Sequence, residues 1–372
     1  MKRSTFFSVI FYAGLMLAFS CHNKETGELL TISVETSNNG SLPLSEISNE
    51  IKAIALEETD SSIISRVIKV IECGDYIALI NGSRNMEILL FDFNGKFIRQ
   101  IASRGQGPGE YSQANSIAYD NVSKQLFIMS ETKIISYSLD GKLLKEKVVP
   151  HTKADLEYAN GKLYLLSYYI DDDKNGVCLH SVLYSMNNDL QIIDSCKIRK
   201  EHFEKILAQI NAVQDFITVE KNNILVYCAD YAIFGPIEHP FNPILKDTLY
   251  QVDSNNSVYP LLRIKFKGDG KTADGEKRIF LNNIYKSSRY IFADYRDMVD
   301  DNSFLFCYDT KTKKGYEMID GYIDDIHNLT DKVTIYPLDA NAERFYYIYT
   351  DMDNLRGNEE PNPTLYIGTL KK

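Results

Sequence analysis

The stretch Arg104-Gly105-Gln106-Gly107-Pro108-Gly109-Glu110-Tyr111 gathers a guanidinium, a carboxylate and a phenol around three glycines. Such a set can hold a polar ligand through charge-assisted hydrogen bonds and a flat apolar surface. It is not a dinucleotide loop, because the third glycine spacing is wrong, Pro108 interrupts it and no helical pattern follows. A tight backbone passage between two strands is the competing reading. Asp324, Asp325 and His327 form a second small cluster, able to ligate a divalent ion or act as a base, or else to sit in a solvated turn. Asp171-Asp172-Asp173-Lys174-Asn175-Gly176 begins like a calcium loop. The position that must supply a bidentate carboxylate is Val182, which leaves a solvated hairpin loop. Gly270-Lys271-Thr272 ends like a phosphate loop, yet the required first glycine is Lys265. There is no HExxH, no GxSxG and no close histidine pair, so zinc and nucleophilic-serine mechanisms lack support and no cofactor is implied.

The positions of these residues depend on what the chain does before it folds. Lys2 and Arg3 precede an uncharged, mostly apolar stretch from Thr5 to Phe19, which reads as a secretory signal over residues 1–20. It ends in Leu17-Ala18-Phe19-Ser20-Cys21, with small residues three and one before the cysteine. This resembles the lipobox of bacterial lipoproteins, which implies acylation of Cys21 and attachment to a membrane through it. Removing the signal leaves 39 basic against 51 acidic residues, or −12. A negative surface of that size disfavours nucleic acid and anionic headgroups. Residues 21–50 are rich in Ser, Thr, Asn and Glu and read as a polar tether. Cys73, Cys178, Cys196, Cys228 and Cys307 lack metal spacing, and most are expected as buried thiols in strands; Cys178 and Cys196 could face each other across one hairpin and form a disulfide, a register that spacing alone does not set.

The remaining chain, residues 51–372, is repetitive. With 25 Tyr, 18 Phe and β-branched residues in short runs, it favours strands. Ile88 to Ile98 and Ile134 to Leu144 are two copies of one hairpin, each alternating apolar residues into Asn94-Gly95 or Asp140-Gly141, dipeptides suited to a type I′ turn. The aromatic anchor recurs as Phe91, Tyr137, Tyr184, Tyr250, Tyr308 and Tyr366, at gaps of 46, 47, 66, 58 and 58. Six units of about four strands predict an all-β, six-bladed β-propeller of four-stranded antiparallel blades. The last unit is one strand short, and Ile51 to Glu57 has the character to close the ring as its outer strand. Glu201 to Gln214 has helical apolar spacing, and Tyr231 to Lys246 reads as a long loop. The glycine-rich stretch then falls on a crossing between units one and two, and Asp324 and His327 on the crossing into unit six.

Two stretches carry a family resemblance. Gly105-Gln106-Gly107-Pro108-Gly109-Glu110-Tyr111, following Phe91-Asp92-Phe93-Asn94-Gly95-Lys96-Phe97-Ile98-Arg99-Gln100-Ile101, resembles the opening of the six-bladed β-propeller lipoproteins, NHL-like proteins of Gram-negative envelopes. Ile54 to Ile64, Lys246 to Tyr250 and Glu360 to Leu365 fit the same family. The resemblance spans roughly residues 51 to 370 and implies fold and envelope location, with the outer membrane as the expected surface; it carries no catalytic residue. The expectation is a non-catalytic binding or scaffold protein for a protein or glycan partner, with Arg104, Glu110, Tyr111, Asp324 and His327 as ligand contacts. The alternative is a metal-dependent hydrolase or lyase at the propeller channel. Substituting Cys21→Ala should move the protein from the detergent phase to the aqueous phase on phase partitioning. Retention in detergent would place the anchor elsewhere.

Overall fold

A computed structural model describes residues 29–36, 38–82, 86–131, 133–149, 152–173, 176–203, 208–209, 216–228, 232–233, 245–351 and 361–372. The signal stretch and Cys21 lie outside them. The chain forms six antiparallel four-stranded sheets arranged as a β-propeller, with little helix. From the axis outward, blade 1 is Val67–Cys73, Tyr76–Asn81, Glu87–Asp92 and Phe97–Gln100, and blade 2 is Ala114–Asp120, Gln125–Ser130, Lys133–Ser138 and Leu143–Val148. Blade 3 is Thr152–Ala159, Lys162–Asp173, Gly176–Met186 and Ile192–Phe203; blade 4 is Ile217–Glu220, Asn223–Tyr227, Thr248–Val252 and Val258–Lys265. Blade 5 is Ile279–Lys286, Tyr290–Asp297, Asn302–Asp309 and Lys314–Ile319. Blade 6 takes Tyr336–Pro337, Arg344–Tyr349 and Thr364–Leu370 from the end of the chain and its outer strand, Ser48–Ala55, from the beginning. Thr364 faces Ala55 and Gly368 faces Ile51, so the last blade is closed by the N-terminal strand as its β character predicts.

The repeated hairpin follows from its glycines. Gly95 and Gly141 have φ of 84° and 86°, whereas Asn94 and Asp140 do not adopt positive φ. The turn is therefore not type I′. It is a three-residue loop, closed by the Gly95 N–H on the Asp92 carbonyl and the Gly141 N–H on the Ser138 carbonyl, in which the left-handed glycine makes a one-residue register shift, between Leu90 and Phe91 in blade 1 and between Ser136 and Tyr137 in blade 2. A Cβ on Gly95 would lie 1.9 Å from the Ala55 carbonyl oxygen, so the same residue lets blade 6 abut blade 1.

Three sequence expectations are corrected. The polar stretch to residue 50 is not a tether from Leu30 onward. Leu30–Ser33 adds a parallel strand outside blade 4 and Asn38–Asn39 does so outside blade 5, while Leu42, Leu44 and Ile47 enter the core between blades 5 and 6. Ile32 and Val34 are buried within the same strap, and such spaced apolar residues anchor it despite the polar composition around them. The helix expected over Glu201 to Gln214 is absent where the chain is described: Glu201 to Phe203 continue the outer strand of blade 3, and Ala208–Gln209 pairs with Ala232–Ile233. Most of the loop expected from Tyr231 to Lys246 lies outside the described residues. The Cys178–Cys196 disulfide is also excluded, since Cys178 faces His202 and Cys196 faces Leu183, and all five described cysteines are buried free thiols.

At the axis the inner strands are tied together by one carboxylate. Asp155 on blade 3 is fully buried, and its Oδ1 accepts from Lys69 Nζ of blade 1 at 3.1 Å and Ser116 Oγ of blade 2 at 2.9 Å. Its Oδ2 accepts the backbone N–H groups of Phe216 and Ile217 at the start of blade 4, at 2.9 and 3.0 Å. Lys69 Nζ also donates to Ser116 Oγ at 3.0 Å. Lys69, Ser116 and Asp155 reach this layer by a shared device: their inner strands shift register just before them, between Val67 and Lys69, Ala114 and Ser116, and Lys153 and Asp155, as the inner strand of blade 5 also does between Leu281 and Asn283. Asp155→Ala leaves a buried ammonium and two backbone N–H groups without their acceptor, and should cost about 3–5 kcal/mol. A variant melting at the parental temperature would show that the ring does not depend on this layer.

Candidate functional site at the channel mouth

In each blade the chain leaves the inner strand through a turn at one end of the channel and enters the next inner strand from a crossing at the other end. The turn end is open. Ile71, Glu72 and Gly74 of blade 1, Ala118, Tyr119 and Asn121 of blade 2, Glu157 and Tyr158 of blade 3, and Leu338 to Ala340 of blade 6 line a cavity of about 310 Å³ there. Below it a narrow cleft leads down past Thr218 to Lys69, so the Asp155 layer forms the floor. Blade 4 bounds the far side: the Val219 N–H donates to the Ala340 carbonyl at 2.6 Å, and Glu220 pairs with Lys286 of blade 5.

Acceptor oxygens dominate the wall. Glu72 pairs with Arg344 through Oε2, but its Oε1 is buried with no hydrogen-bond partner. The Tyr119 hydroxyl is likewise out of solvent contact and unpartnered. Burial, with Cys73, Asp120 and Asp75 nearby, pushes this phenol up to about 12. Asp339 Oδ1 accepts the N–H groups of Glu343 at 2.9 Å and Arg344 at 3.1 Å, and desolvation nevertheless raises its carboxyl above the usual range. Glu157 Oε1 accepts the Tyr158 N–H at 3.0 Å, and Asn121 Oδ1 accepts from Lys124 Nζ at 2.8 Å. Buried polar atoms without partners are uncommon in folded proteins and costly in proportion to their burial. Two of them on one cavity wall are poised to meet hydrogen-bonding groups brought by a ligand. Among the described residues no group of three or more His, Cys, Asp or Glu side chains is placed to hold a metal ion.

The residues singled out by sequence lie elsewhere. Arg104, Glu110 and Tyr111 are on the crossing into blade 2, and Asp324 and His327 on the crossing into blade 6, so both sets belong to the opposite end of the channel. The structure does not bring them together: Tyr111 packs in the core of blades 1 and 2, whereas Asp324 bonds Tyr347 in blade 6. Glu110 folds back over its own loop and accepts the Gly107 N–H at 2.7 Å; a Cβ on Gly105 would lie 2.0 Å from its Oε2. Tyr111 is fully buried and donates to the Met86 carbonyl at 2.7 Å, and Arg104 is exposed beside it. Asp324 is buried, accepting the N–H groups of Ile326 and His327, His327 Nδ1 at 3.1 Å and the Tyr347 hydroxyl at 2.5 Å. None of these five residues lines the channel-mouth cavity. Asp171 Oδ1 accepts from His180 Nε2 at 2.9 Å near the end of the blade 3 hairpin. The signal that marks the cavity residues is a polar side chain two or three residues from the end of an inner strand, beyond the Lys69, Ser116 and Asp155 layer, as at Glu72, Tyr119 and Glu157.

Fold and mouth together define a six-bladed β-propeller closed by its own N-terminal strand. The chain belongs to the family described as Domain of unknown function (DUF4934), whose model matches residues 29–370. Nothing among curated proteins matches the sequence. Among solved structures it is similar to a protein of Bacteroides fragilis titled "Putative exported protein", at 16% identity and a TM-score of 0.63, over 93% of this chain and 100% of that one. BamB of Moraxella catarrhalis is 8% identical with a TM-score of 0.43, over 86% of this chain and 100% of that one. The Pan2 WD40 domain of Neurospora crassa is 9% identical at 0.42, over 82% and 76%. At 16% identity the likeness to the Bacteroides fragilis protein speaks to the fold alone.

The unpartnered phenol gives a direct stability test. Tyr119→Phe should leave the thermal midpoint unchanged or raise it, because the hydroxyl has no bond to lose. A fall equivalent to more than about 1 kcal/mol, the net worth of one hydrogen bond, would show that the hydroxyl is bonded within the protein.

Proposed function

We propose that the protein is a lipid-anchored envelope protein that binds a polar ligand, a glycan or peptide, at the channel mouth without transforming it. The observation that carries this reading is the 310 Å³ cavity whose wall holds the buried, unpartnered Glu72 Oε1 and Tyr119 hydroxyl. Its volume falls at the lower end of small-ligand sites, and its polar groups come from four different blades. Carboxylate, amide and phenol oxygens suit the hydroxyl and N–H donors of sugars and peptides. Export is supported by the signal stretch before Cys21 and by the description of the Bacteroides fragilis protein of the same fold. Attachment is supported by the lipobox-like residues Leu17 to Cys21. The outer membrane is the expected surface because the family resembled by sequence is one of envelope lipoproteins.

Glycan and peptide arrays probed with the purified protein should identify retained compounds, whose affinity is then measured for the parent and two variants. Glu72→Gln and Tyr119→Phe should each weaken binding by about fivefold or more, corresponding to roughly 1 kcal/mol. Binding unaffected by both substitutions would remove the ligand site from this mouth. Conversion of the retained compound into product would replace binding by catalysis.

A further inference from the structure

The channel-mouth cavity is charged as well as unsatisfied. Among the described residues its lining carries three carboxylates, Glu72, Glu157 and Asp339, and no lysine, arginine or histidine. They come from blades 1, 3 and 6. The cleft beneath adds Lys69, which is committed to Asp155, and Glu72 is paired with Arg344. At the rim Lys124 bonds Asn121, while Asp75 and Asp120 stand near Tyr119. Six carboxylates therefore meet three cations around the mouth, in a chain whose own formal charge is −10. A concave site with low-dielectric walls concentrates such a field.

Two features besides charge point to a group seated at the base of the cavity. Glu157 and Asp339 line both the cavity and the cleft, so they mark the level where one passes into the other. Asp339 accepts two backbone N–H groups, both on Oδ1, which leaves Oδ2 for another donor. On the cleft, Thr218 is 2% exposed and its hydroxyl is buried with no hydrogen-bond partner. The cleft is only about 10 Å³, so a ligand stops above it, with its lowest group facing these three side chains. Between the acceptors the lining is apolar, with Ile71, Ala118, Leu338 and Ala340, and Tyr158 adds aromatic surface.

We propose that the mouth takes the ammonium head of a lysine side chain presented by a peptide, with Asp339 and Glu157 as its counter-ions and Glu72 Oε1 as a further acceptor. This rests on the reading of the mouth as a ligand site and adds the charge of what it takes. An ammonium brings three donors and no acceptor, which matches a wall of acceptor oxygens. Its methylene stem packs on the apolar residues between them. The cavity, at about 310 Å³, has room for stem and head together. An amino sugar would instead set hydroxyls against Ile71, Ala118, Leu338 and Ala340, so the lining favours the peptide.

The test uses the whole chain and the peptide acetyl-Gly-Lys-Gly-amide as probe, followed by calorimetry or NMR. Saturable one-to-one binding is expected, weakened by added salt and lost when the lysine is acetylated, which removes the charge and leaves the stem. Asp339→Asn keeps an acceptor for the two backbone N–H groups, and should weaken binding about fivefold or more. Glu157→Gln should act in the same direction and stands in for Asp339→Asn if that variant does not fold. Absence of saturable binding, equal affinity for the acetylated peptide, or undiminished binding by both variants would overturn the proposal. Binding of glucosamine in place of the lysine peptide would also overturn it, because the cation would then belong to a sugar. A neutral compound retained through Glu72 and Tyr119, with no affinity for the lysine peptide, would refute the charge assignment while leaving the mouth a binding site.

Discussion

A propeller holds its shape only if the inner strands, which have no hydrogen-bonded neighbour on the axial side, are kept at a common distance from the axis. In this chain one buried carboxylate does so for four of the six blades. Asp155 accepts from a lysine on blade 1, a serine on blade 2 and two backbone amides of blade 4 while itself belonging to blade 3. Burying a single ion pair adds little stability by itself, because desolvation offsets the Coulomb attraction. Its value here is directional. The carboxylate accepts donors from blades 1, 2 and 4 as well as from its own strand, so displacing one blade breaks bonds that tie it to the others.

That layer also divides the channel. Below it, the crossings between blades are filled by their own residues: Tyr111 by its bond to Met86, Glu110 by its bond to Gly107, Asp324 by four donors. Above it, the inner strands run into their turns while still paired with their second strands, and the side chains near their ends face the open channel. Glu72, Tyr119, Glu157 and Asp339 collect there for that reason. The floor and the mouth are consequences of one arrangement, with saturated polar groups at one level and unsaturated ones a few residues further along the same strands.

Much of the fold was legible in sequence because its cause is local. Alternating apolar residues running into Asn94-Gly95 or Asp140-Gly141 specify a hairpin whatever surrounds it, and six aromatic anchors specify six blades. The missing strand of the last unit pointed to Ile51 to Glu57, where ring closure is found. The strap before it was hidden because Ile32, Val34, Leu42, Leu44 and Ile47 are too dispersed among Ser, Asn and Glu to give a period of two. The helix expected from Glu201 does not form over Glu201 to Phe203, where pairing with Val177 to Leu179 extends the outer strand of blade 3. The candidate site was not legible for a different reason. Lys69, Ser116 and Asp155 meet across 47 and 86 residues of chain, and no local pattern marks that meeting. The glycine-rich stretch drew notice by its composition, yet its glycines make room for Glu110 and for blade packing rather than for a ligand.

Repetition offers a way to separate structure from function that composition does not. In a ring of like units each position has a default set by its environment, so a departure is informative in proportion to what it costs. The polar residues of the hub depart from the apolar inner strand, but they satisfy one another, and the departure is thereby explained within the fold. Glu72 Oε1 and the Tyr119 hydroxyl depart and remain unsatisfied. The residues that the fold leaves unexplained are therefore the ones where interactions with other molecules should be sought, and they lie on the open ends of blades 1 and 2 rather than on the conspicuous crossings.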